Sequence, residues 1–308
     1  MKRHVNQQSE STPPPPAATD CLACAFSETD GDFRIPVPWL AGERTERIFT
    51  GFTPIGTHGA FHLHEHANIR IGCACVPVTD ATLAQTTRDL YRDLLRATRN
   101  HHLYRVWHYI PRINHWAGGK ENYREFCLGR ATAFEENYRA AASRHMSAAS
   151  AVGCEGESLC VMYVAGLATP RHHENPQQTP AYFYPPEHGP RSPSFARATT
   201  VNENNRAHVF ISGTASVKGH ATQHSGDLPA QIACTLDNLR LISEAAVSPA
   251  HGWQRHIKIY LRHATDLPRA QALLAGFLRA TDNVIWLRSD ICRADLDIEI
   301  EATLIRAL

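Results

Sequence analysis

Strict alternation of apolar and acidic residues marks the C-terminal end of the chain. In the segment DLDIEIEA, Ile298 and Ile300 occupy one set of positions, while Asp297, Glu299 and Glu301 occupy the other. Because successive side chains of a β-strand point to opposite faces, this pattern predicts a strand that carries its carboxylates on one face. Such a face is either a solvated sheet surface or the lining of a pocket, and the alternation fits both interpretations.

Four other segments have helical periodicity. Leu83, Leu90 and Leu94 recur at the spacing of an amphipathic helix. The segment ENYREFCLGRATAFEENYRAAASRH predicts a second, longer helix. The segments PAQIACTLDNLRLISEAA and DLPRAQALLAGFLRA predict two more. Strands are predicted between them, at LYRVWHYIPRI, HVFISGTASV and RHIKIYLR, so the chain mixes both kinds of element.

The order of elements repeats within the chain. The first and third predicted helices share an Ala-Gln pair, Ala84-Gln85 and Ala230-Gln231, and a strand with aromatic and basic residues follows each of them. This faint self-similarity predicts an internal duplication.

The pattern also divides the chain into segments. Residues 1–32 contain a run of prolines and predict a disordered tail. Residues 33–200 predict an N-terminal domain and residues 201–308 a C-terminal domain. The proline-rich stretch 174–198 contains four aromatic residues, which argues against a disordered linker. We interpret it as a binding loop that lies across a site.

Composition and charge narrow the classes of function. Among 308 residues, 31 lysines and arginines oppose 30 aspartates and glutamates, so no bulk charge favours nucleic acid or an anionic membrane as a partner. No apolar run approaches the roughly 18 residues of a membrane span. The N-terminal residues lack the apolar core of a secretory signal, so we expect a cytoplasmic protein whose nine cysteines are reduced.

Histidine and cysteine clusters raise the question of a metal. His62, His64 and His66 in HLHEH have ligand-like spacing, but a polar sheet face is the preferred interpretation because no fourth ligand is evident. The CLAC segment lacks a second CxxC, so no zinc site is predicted there. We therefore expect neither a metal nor a cofactor. His220 and His224 lie in a predicted loop that is a candidate rim of the site.

Five segments in order carry a resemblance to a known family. RVWHYIPRIN, FCLGRATAF, AYFYP…GP…SFARA, ISGTASVKGH and ICRADLDIEIEA resemble the corresponding segments of the chorismatases. The resemblance implies an α+β fold of two YjgF-like (chorismate-mutase-like) α/β halves, the N-terminal one degenerate, with mixed sheets and helices packed on one face. It also implies that chorismate is the small-molecule substrate.

The resemblance assigns roles to particular residues. It implies that Glu299 is the catalytic acid and that Arg130, Arg197, Tyr182 and Tyr184 bind the substrate. It further implies polar contacts from Thr214 and Gln231. Family members that make 3-hydroxybenzoate carry a cysteine and a glycine where this chain has Cys292 and Gly213, whereas hydrolytic members tend to have alanine at both places. The expected reaction therefore gives 3-hydroxybenzoate and pyruvate, with 4-hydroxybenzoate as a further possible product.

The chemistry sets a condition on Glu299. Cleavage of the enolpyruvyl ether begins with protonation of its methylene carbon, and a glutamic acid with the ordinary pKa of about 4.3 is ionised at neutral pH. Burial beside apolar walls would keep the carboxyl protonated. Two substrate carboxylates require cations, and arginine provides a bidentate fork for each.

Several alternatives remain open on the sequence. By its own pattern Glu301 is interpreted as structural or exposed. A hydrolytic chorismatase, a YjgF-like imine or enamine hydrolase and a non-catalytic binding protein are the competing functions. The imine hydrolase requires an arginine near Val284, and no basic residue stands at that position. Both a monomer and a homotrimer are compatible with the sequence.

Overall fold

A computed structural model describes residues 20–26, 33–248 and 251–308. Its strands up to the middle of the chain are β1 (Cys21–Cys24), β2 (Phe33–Gly42), β3 (Thr45–Glu46), β4 (Thr53–His58), β5 (Phe61–His66), β6 (Ile69–Pro77), β7 (His102–Pro111), β8 (Trp116–Ala117), β9 (Lys120–Glu121), β10 (Ala148–Cys154) and β11 (Ser158–Gly166). The later strands are β12 (Arg171–His173), β13 (Ala198–Glu203), β14 (Arg206–Thr214), β15 (Val217–Lys218), β16 (Ala221–Thr222), β17 (Gln254–Leu261), β18 (Asn283–Arg288) and β19 (Ile298–Ala307). The helices are α1 (Leu83–Ala97), α2 (Asn122–Tyr138), α3 (Leu228–Ala246) and α4 (Leu267–Leu274).

Two large mixed sheets organise these elements. One has the strand order β10-β7-β11-β6-β5-β4, and the other has the order β12-β13-β14-β19-β17-β18-β2-β1-β3. Helices α1 and α2 pack on one face of the first sheet, and α3 and α4 pack on one face of the second. The α+β fold class expected from the sequence is confirmed.

The predicted internal duplication is confirmed by the topology. In the first sheet the hairpin β5–β6 is followed by α1, β7, α2, β10 and β11. In the second sheet the hairpin β13–β14 is followed by α3, β17, α4, β18 and β19. The pairings also match, because β7 lies parallel to β10 as β17 lies parallel to β18, and the last strand of each unit lies antiparallel between two others.

The faces that carry no helices pack against each other. On β17, Ile257 and Ile259 point to the helices, whereas Lys258 and Tyr260 point toward the first sheet. On β7, Trp107 and Tyr109 face the second sheet in the same way. The period of two along each strand therefore delivers one set of side chains to the helix layer and the other set to a central layer between the sheets.

The predicted domain boundaries need correction. Strand β2 pairs with β18, and β12 pairs with β13, so both ends of the predicted 33–200 domain belong to the second sheet. The expectation of a disordered tail is wrong for β1, because Leu22 and Cys24 are buried and the strand pairs with β2. The rest of the predicted tail, residues 1–19 and 27–32, lies outside the described residues.

One pair of cysteines departs from the expected reduced state. Cys75 and Cys160 lie directly opposite each other on β6 and β11 and form a disulfide. They are 85 residues apart in the chain, so only the register of the strands brings them together. The other seven cysteines form no disulfide.

Neighbouring aromatic side chains contact the histidines of HLHEH. The rings of His64 and His66 pack beside Phe26 and Phe52, with ring centroids 5.1 and 5.6 Å apart.

None of the helices within the described residues combines the length and apolarity that crossing a bilayer requires.

Candidate active site

A cavity of about 530 Å³ lies where the central layer meets α2 and the long proline-rich loop. This volume falls within the range of small-molecule sites, about 300–1,000 Å³. Loop residues 184–197 form one side of it, and the loop is ordered by two short 3₁₀ turns, Ala181–Phe183 and Pro186–His188. The structure therefore places the predicted binding loop across a cavity.

Glu299 points from β19 into this cavity. Its neighbours Ile298 and Ile300 turn to the helix layer, so the alternation that predicts a strand also sends Glu299 into the central layer. The side chain is only 3% exposed, and its Oε1 accepts no hydrogen bond from the described residues. Burial and, to a smaller extent, the nearby carboxylate of Glu301 raise the pKa of Glu299, Arg105 and Arg197 oppose the rise, and the resulting pKa is about 8. The carboxyl group is therefore protonated at neutral pH.

Glu301 lies two residues further along the same face, and its carboxylate is surrounded by cations and hydrogen-bond donors. Its carboxylate is 2.9 Å from Lys258 Nζ, and it accepts hydrogen bonds from Arg105 Nη2 at 2.7 Å and from Trp107 Nε1 at 2.8 Å. The hydroxyl of Ser150 donates to it as well. Although burial acts to raise the pKa of Glu301, the charges of Lys258 and Arg105 lower it.

The solvated-face interpretation is therefore wrong for both glutamates. Two carboxyl groups on one buried face have pKa values pushed apart, one toward the neutral acid and one toward the anion. Such a pairing is a common arrangement in acid–base sites. Its origin is visible here, because Glu301 has two cationic partners at contact distance and Glu299 has no such ion pair among the described residues.

Gly213 makes room for the Glu299 carboxyl group. A Cβ atom at this position would lie 1.9 Å from Glu299 Oε1 and 3.0 Å from Ser150 Oγ. The backbone N–H of Gly213 also donates to Ser150 Oγ at 2.8 Å. Since real Cβ atoms do not approach so closely, a larger residue at position 213 would have to displace the carboxyl group.

Two buried arginines bring positive charge to the cavity. Arg130 of α2 is 3% exposed, and its Nε and Nη2 donate to none of the described residues. Gly129 allows α2 to approach α1 closely, since a Cβ there would lie 2.1 Å from the Ala84 carbonyl oxygen. Arg197 donates from Nη2 to the Tyr184 hydroxyl at 2.7 Å, and its Nε has no partner among the described residues. Unpaired buried guanidinium groups are expected to bind an anionic ligand.

Cys292 lies in the wall of the same cavity. Burial and, to a smaller extent, the neighbouring Glu299 raise the pKa of the Cys292 thiol, Arg293 opposes the rise, and the resulting pKa is about 12. The group is therefore a neutral thiol beside a neutral carboxyl group, and both can donate a proton.

Three of the predicted contact residues lie outside the cavity lining, which is a correction to the sequence analysis. Tyr182 packs against the helix-side core of the first half, and Thr214 donates to the Ser212 carbonyl at 2.8 Å. The fully buried Gln231 accepts from the Asp297 N–H at 2.8 Å and donates to the Asp295 carbonyl at 3.0 Å. Gln231 thus holds the segment that joins Cys292 to Glu299.

The sequence analysis missed other cavity residues. Arg293 donates from Nη1 to Thr222 Oγ1 at 3.2 Å and lies over the Tyr184 ring, 5.5 Å from its centroid. Arg293 directly follows Cys292 in the segment ICRAD, and this position could have indicated that it lies at the site. Ser150 carried no signal, because its importance depends on a contact with Glu301, 151 residues away in the chain.

Comparisons with known proteins agree with this arrangement. Residues 50–165 match the family model described as chorismatase FkbO/Hyg5-like, N-terminal. A 3-hydroxybenzoate synthase of Streptomyces hygroscopicus is 38% identical over 213 residues, which are 65% of this chain and 62% of that protein. A chorismatase of the same organism is 37% identical over 231 residues, 71% of this chain and 67% of that protein. The chain thus spans about two thirds of the length of the curated relatives it matches. A crystal structure of a chorismatase is similar to this fold, with a TM-score of 0.75 and 26% sequence identity. The match covers 97% of this chain and 96% of that chain.

Proposed function

The chain belongs to the chorismatase family, and we propose that it converts chorismate to 3-hydroxybenzoate and pyruvate. The observation that carries this proposal is a carboxyl group held neutral at Glu299 in a cavity that also contains two buried guanidinium groups without a carboxylate partner among the described residues. A neutral acid and a bound anion are the two requirements of the expected first step. The name of the 38% identical relative, 3-hydroxybenzoate synthase, supports the choice of product.

Charge complementarity supports a dicarboxylate substrate. Chorismate carries two carboxylates, and the cavity is lined by Arg130, Arg197 and Arg293. Arg130 Nε and Nη2 have no hydrogen-bond partner among the described residues, whereas Arg197 is already oriented by the Tyr184 hydroxyl. We propose that Arg130 and Arg197 each bind one carboxylate, because arginine forms paired hydrogen bonds with a carboxylate.

Glu299 is the proposed general acid. It donates its proton to the methylene carbon of the enolpyruvyl group, which leaves an oxocarbenium ion on the ether carbon and a carboxylate at position 299. Arg105 and Arg197 stabilise that carboxylate, since both lower the pKa of Glu299. Glu301 does not share the proton, because Lys258 and Arg105 hold it as an anion.

Cys292 is proposed to direct the second half of the reaction. Chorismate equals 3-hydroxybenzoate plus pyruvate in atoms, so this route consumes no net water, whereas the diol requires one. The 4-hydroxyl oxygen adds to the oxocarbenium carbon and loses its proton to the Glu299 carboxylate. The neutral Cys292 thiol protonates that oxygen as its bond to ring carbon 4 breaks, and the resulting thiolate removes the proton from ring carbon 3, which makes the ring aromatic. The hemiketal that remains divides into 3-hydroxybenzoate and pyruvate, so Glu299 and Cys292 both end in their starting protonation states. Cys292 packs, partly buried, against two apolar clusters, and an apolar wall at this position favours this outcome over attack by water.

The test is to incubate the purified protein with chorismate and separate the products. We expect pyruvate and 3-hydroxybenzoate in equal amounts, with 4-hydroxybenzoate as a possible minor product. The diol plus pyruvate would identify the hydrolytic alternative. Neither pyruvate nor a hydroxybenzoate would refute the proposal. Turnover of an imine or enamine would then favour the second alternative, which the apolar Val284 on β18 disfavours.

A further inference from the structure

Three side chains that can ligate a metal converge at the rim of the cavity. Nε2 of His188 is 2.9 Å from Nδ1 of His220. Oε1 of Glu187 lies 3.3 Å from His220 Nδ1 and 3.6 Å from His188 Nε2. Within residues 20–26, 33–248 and 251–308, this is the one group of at least three such side chains close enough to share an ion. None of the three has a part in the proposed reaction.

The spacing of these atoms matches a tetrahedral metal site. Zinc binds imidazole nitrogen at about 2.0–2.1 Å and carboxylate oxygen at about 2.0–2.2 Å. Ligand atoms at those bond lengths lie about 3.3–3.4 Å apart at the corners of a tetrahedron. The three observed distances bracket this value, so an ion could enter with shifts of a few tenths of an ångström, replacing the hydrogen bond between the two rings.

Backbone hydrogen bonds join the loop that carries two of the ligands to the turn that carries the third. Glu187 and His188 belong to the 3₁₀ turn of the proline-rich loop, and His220 belongs to the tight turn between β15 and β16. The two segments are joined by hydrogen bonds from Gly219 N to the Gln177 carbonyl, 2.8 Å, and from Thr179 N to the Gly219 carbonyl, 2.9 Å. A site that exists before binding requires little ordering of the chain when the ion arrives.

We propose that Glu187, His188 and His220 form a binding site for a borderline divalent cation of the zinc class. Two imidazoles and one carboxylate suit zinc, copper and nickel better than magnesium or calcium, which prefer oxygen ligands. Three protein ligands leave a fourth position for water or a carboxylate. Bound there, the ion joins the loop to the β15–β16 turn across the mouth of the cavity. The positive charges of Arg124 and Arg293 act on His188 and oppose the cation.

The experiment measures zinc binding to the whole chain, freed of metal by chelation, in competition with a chromophoric chelator. The His188→Gln and His220→Asn variants each remove one ligand, and His224→Asn is the matched control. His224 lies in the same region outside the cluster and has a positive φ of 59°, which asparagine tolerates. Circular dichroism and thermal unfolding check that each variant is folded.

We expect one zinc ion per chain in the wild-type protein and in His224→Asn, with affinity lowered by at least about tenfold in the other two variants. Cobalt in the same site should give visible bands of a tetrahedral nitrogen–oxygen site without the charge-transfer band of a thiolate. Magnesium should not compete. Equal zinc affinity in all four proteins, no zinc binding by the wild type, or a thiolate band would overturn the proposal. None of these readouts depends on turnover of chorismate.

Discussion

Replacing Glu299 with glutamine should change how the stability of the protein depends on pH. In the folded chain Glu299 keeps its proton up to a pKa of about 8, whereas in the unfolded chain it has an ordinary value near 4.5. Between these values the folded state binds the extra proton, so stability falls as pH rises. The contribution is fully present below about pH 4.5 and is lost as pH rises through 8.

The size of the effect follows from the same two values. Each pKa unit corresponds to about 1.36 kcal/mol, so the interval from 4.5 to about 8 is worth on the order of 4–5 kcal/mol of unfolding free energy. Glutamine has nearly the same shape and does not titrate. Relative to the wild type, the Glu299→Gln variant should therefore gain stability steadily from pH 5 to pH 8.5. Titrating groups that do not interact with Glu299 are common to the two proteins and cancel in the difference.

The assay is urea unfolding at several pH values from 5 to 9, monitored by circular dichroism. Glu301→Gln is the matched control, because it removes a carboxylate from the same strand face. That variant leaves Lys258 and Arg105 without their buried partner, so it should be less stable by roughly 3–5 kcal/mol throughout this range. A wild-type-minus-Glu299→Gln difference that stays constant with pH would refute the reasoning, since it would mean that Glu299 is ionised in the folded protein.

Four further predictions concern turnover of chorismate. The turnover rate of the wild-type protein should fall about tenfold per pH unit above a pKa near 8, because Glu299 loses its proton there. The Glu299→Gln substitution should lower kcat by about 10²–10⁴-fold. A fully active variant would exclude Glu299 as the acid. Cys292→Ala should divert product toward the diol, measured by chromatography, and an unchanged product ratio would remove Cys292 from the proposed second step. Gly213→Ala should reduce kcat because its methyl group meets the Glu299 carboxyl. The control Gly276→Ala meets no atom within 4 Å, and equal losses in both would contradict the steric explanation.

Local pattern located the single elements but not all of their ends. The helices predicted at 83–97 and 229–246 form as α1 and α3, and the alternation at Ile298–Glu301 forms β19. The two other predicted helices form as α2 and α4, which end at Tyr138 and Leu274, before the predicted ends at residues 145 and 280. The duplication was also visible in the sequence, since the first and third predicted helices share an Ala-Gln pair near their starts. The order of strands within each sheet was not visible, because strand pairing depends on contacts between distant parts of the chain.

The site was predictable where a family resemblance pointed to single positions, and less so where it depended on packing. Glu299, Cys292, Arg130, Arg197, Tyr184 and Gly213 were named from the sequence, and the structure brings all six to one cavity. Thr214 and Gln231 carry polar groups, but their hydrogen-bonding capacity is used by neighbouring backbone. A polar side chain in a sequence motif reveals nothing about whether it faces a ligand or its own loop.

By itself the sequence determined that two glutamates share one face of the last strand, since a period of two is a property of the local backbone. It did not determine whether that face meets water or protein. The tertiary structure decided this by laying a second sheet over the face. Arg105, which fixes Glu301 as an anion, lies 196 residues away in the chain. The same burial keeps Glu299 neutral, because removing a carboxylate from water without an ion-pair partner is more unfavourable than retaining its proton.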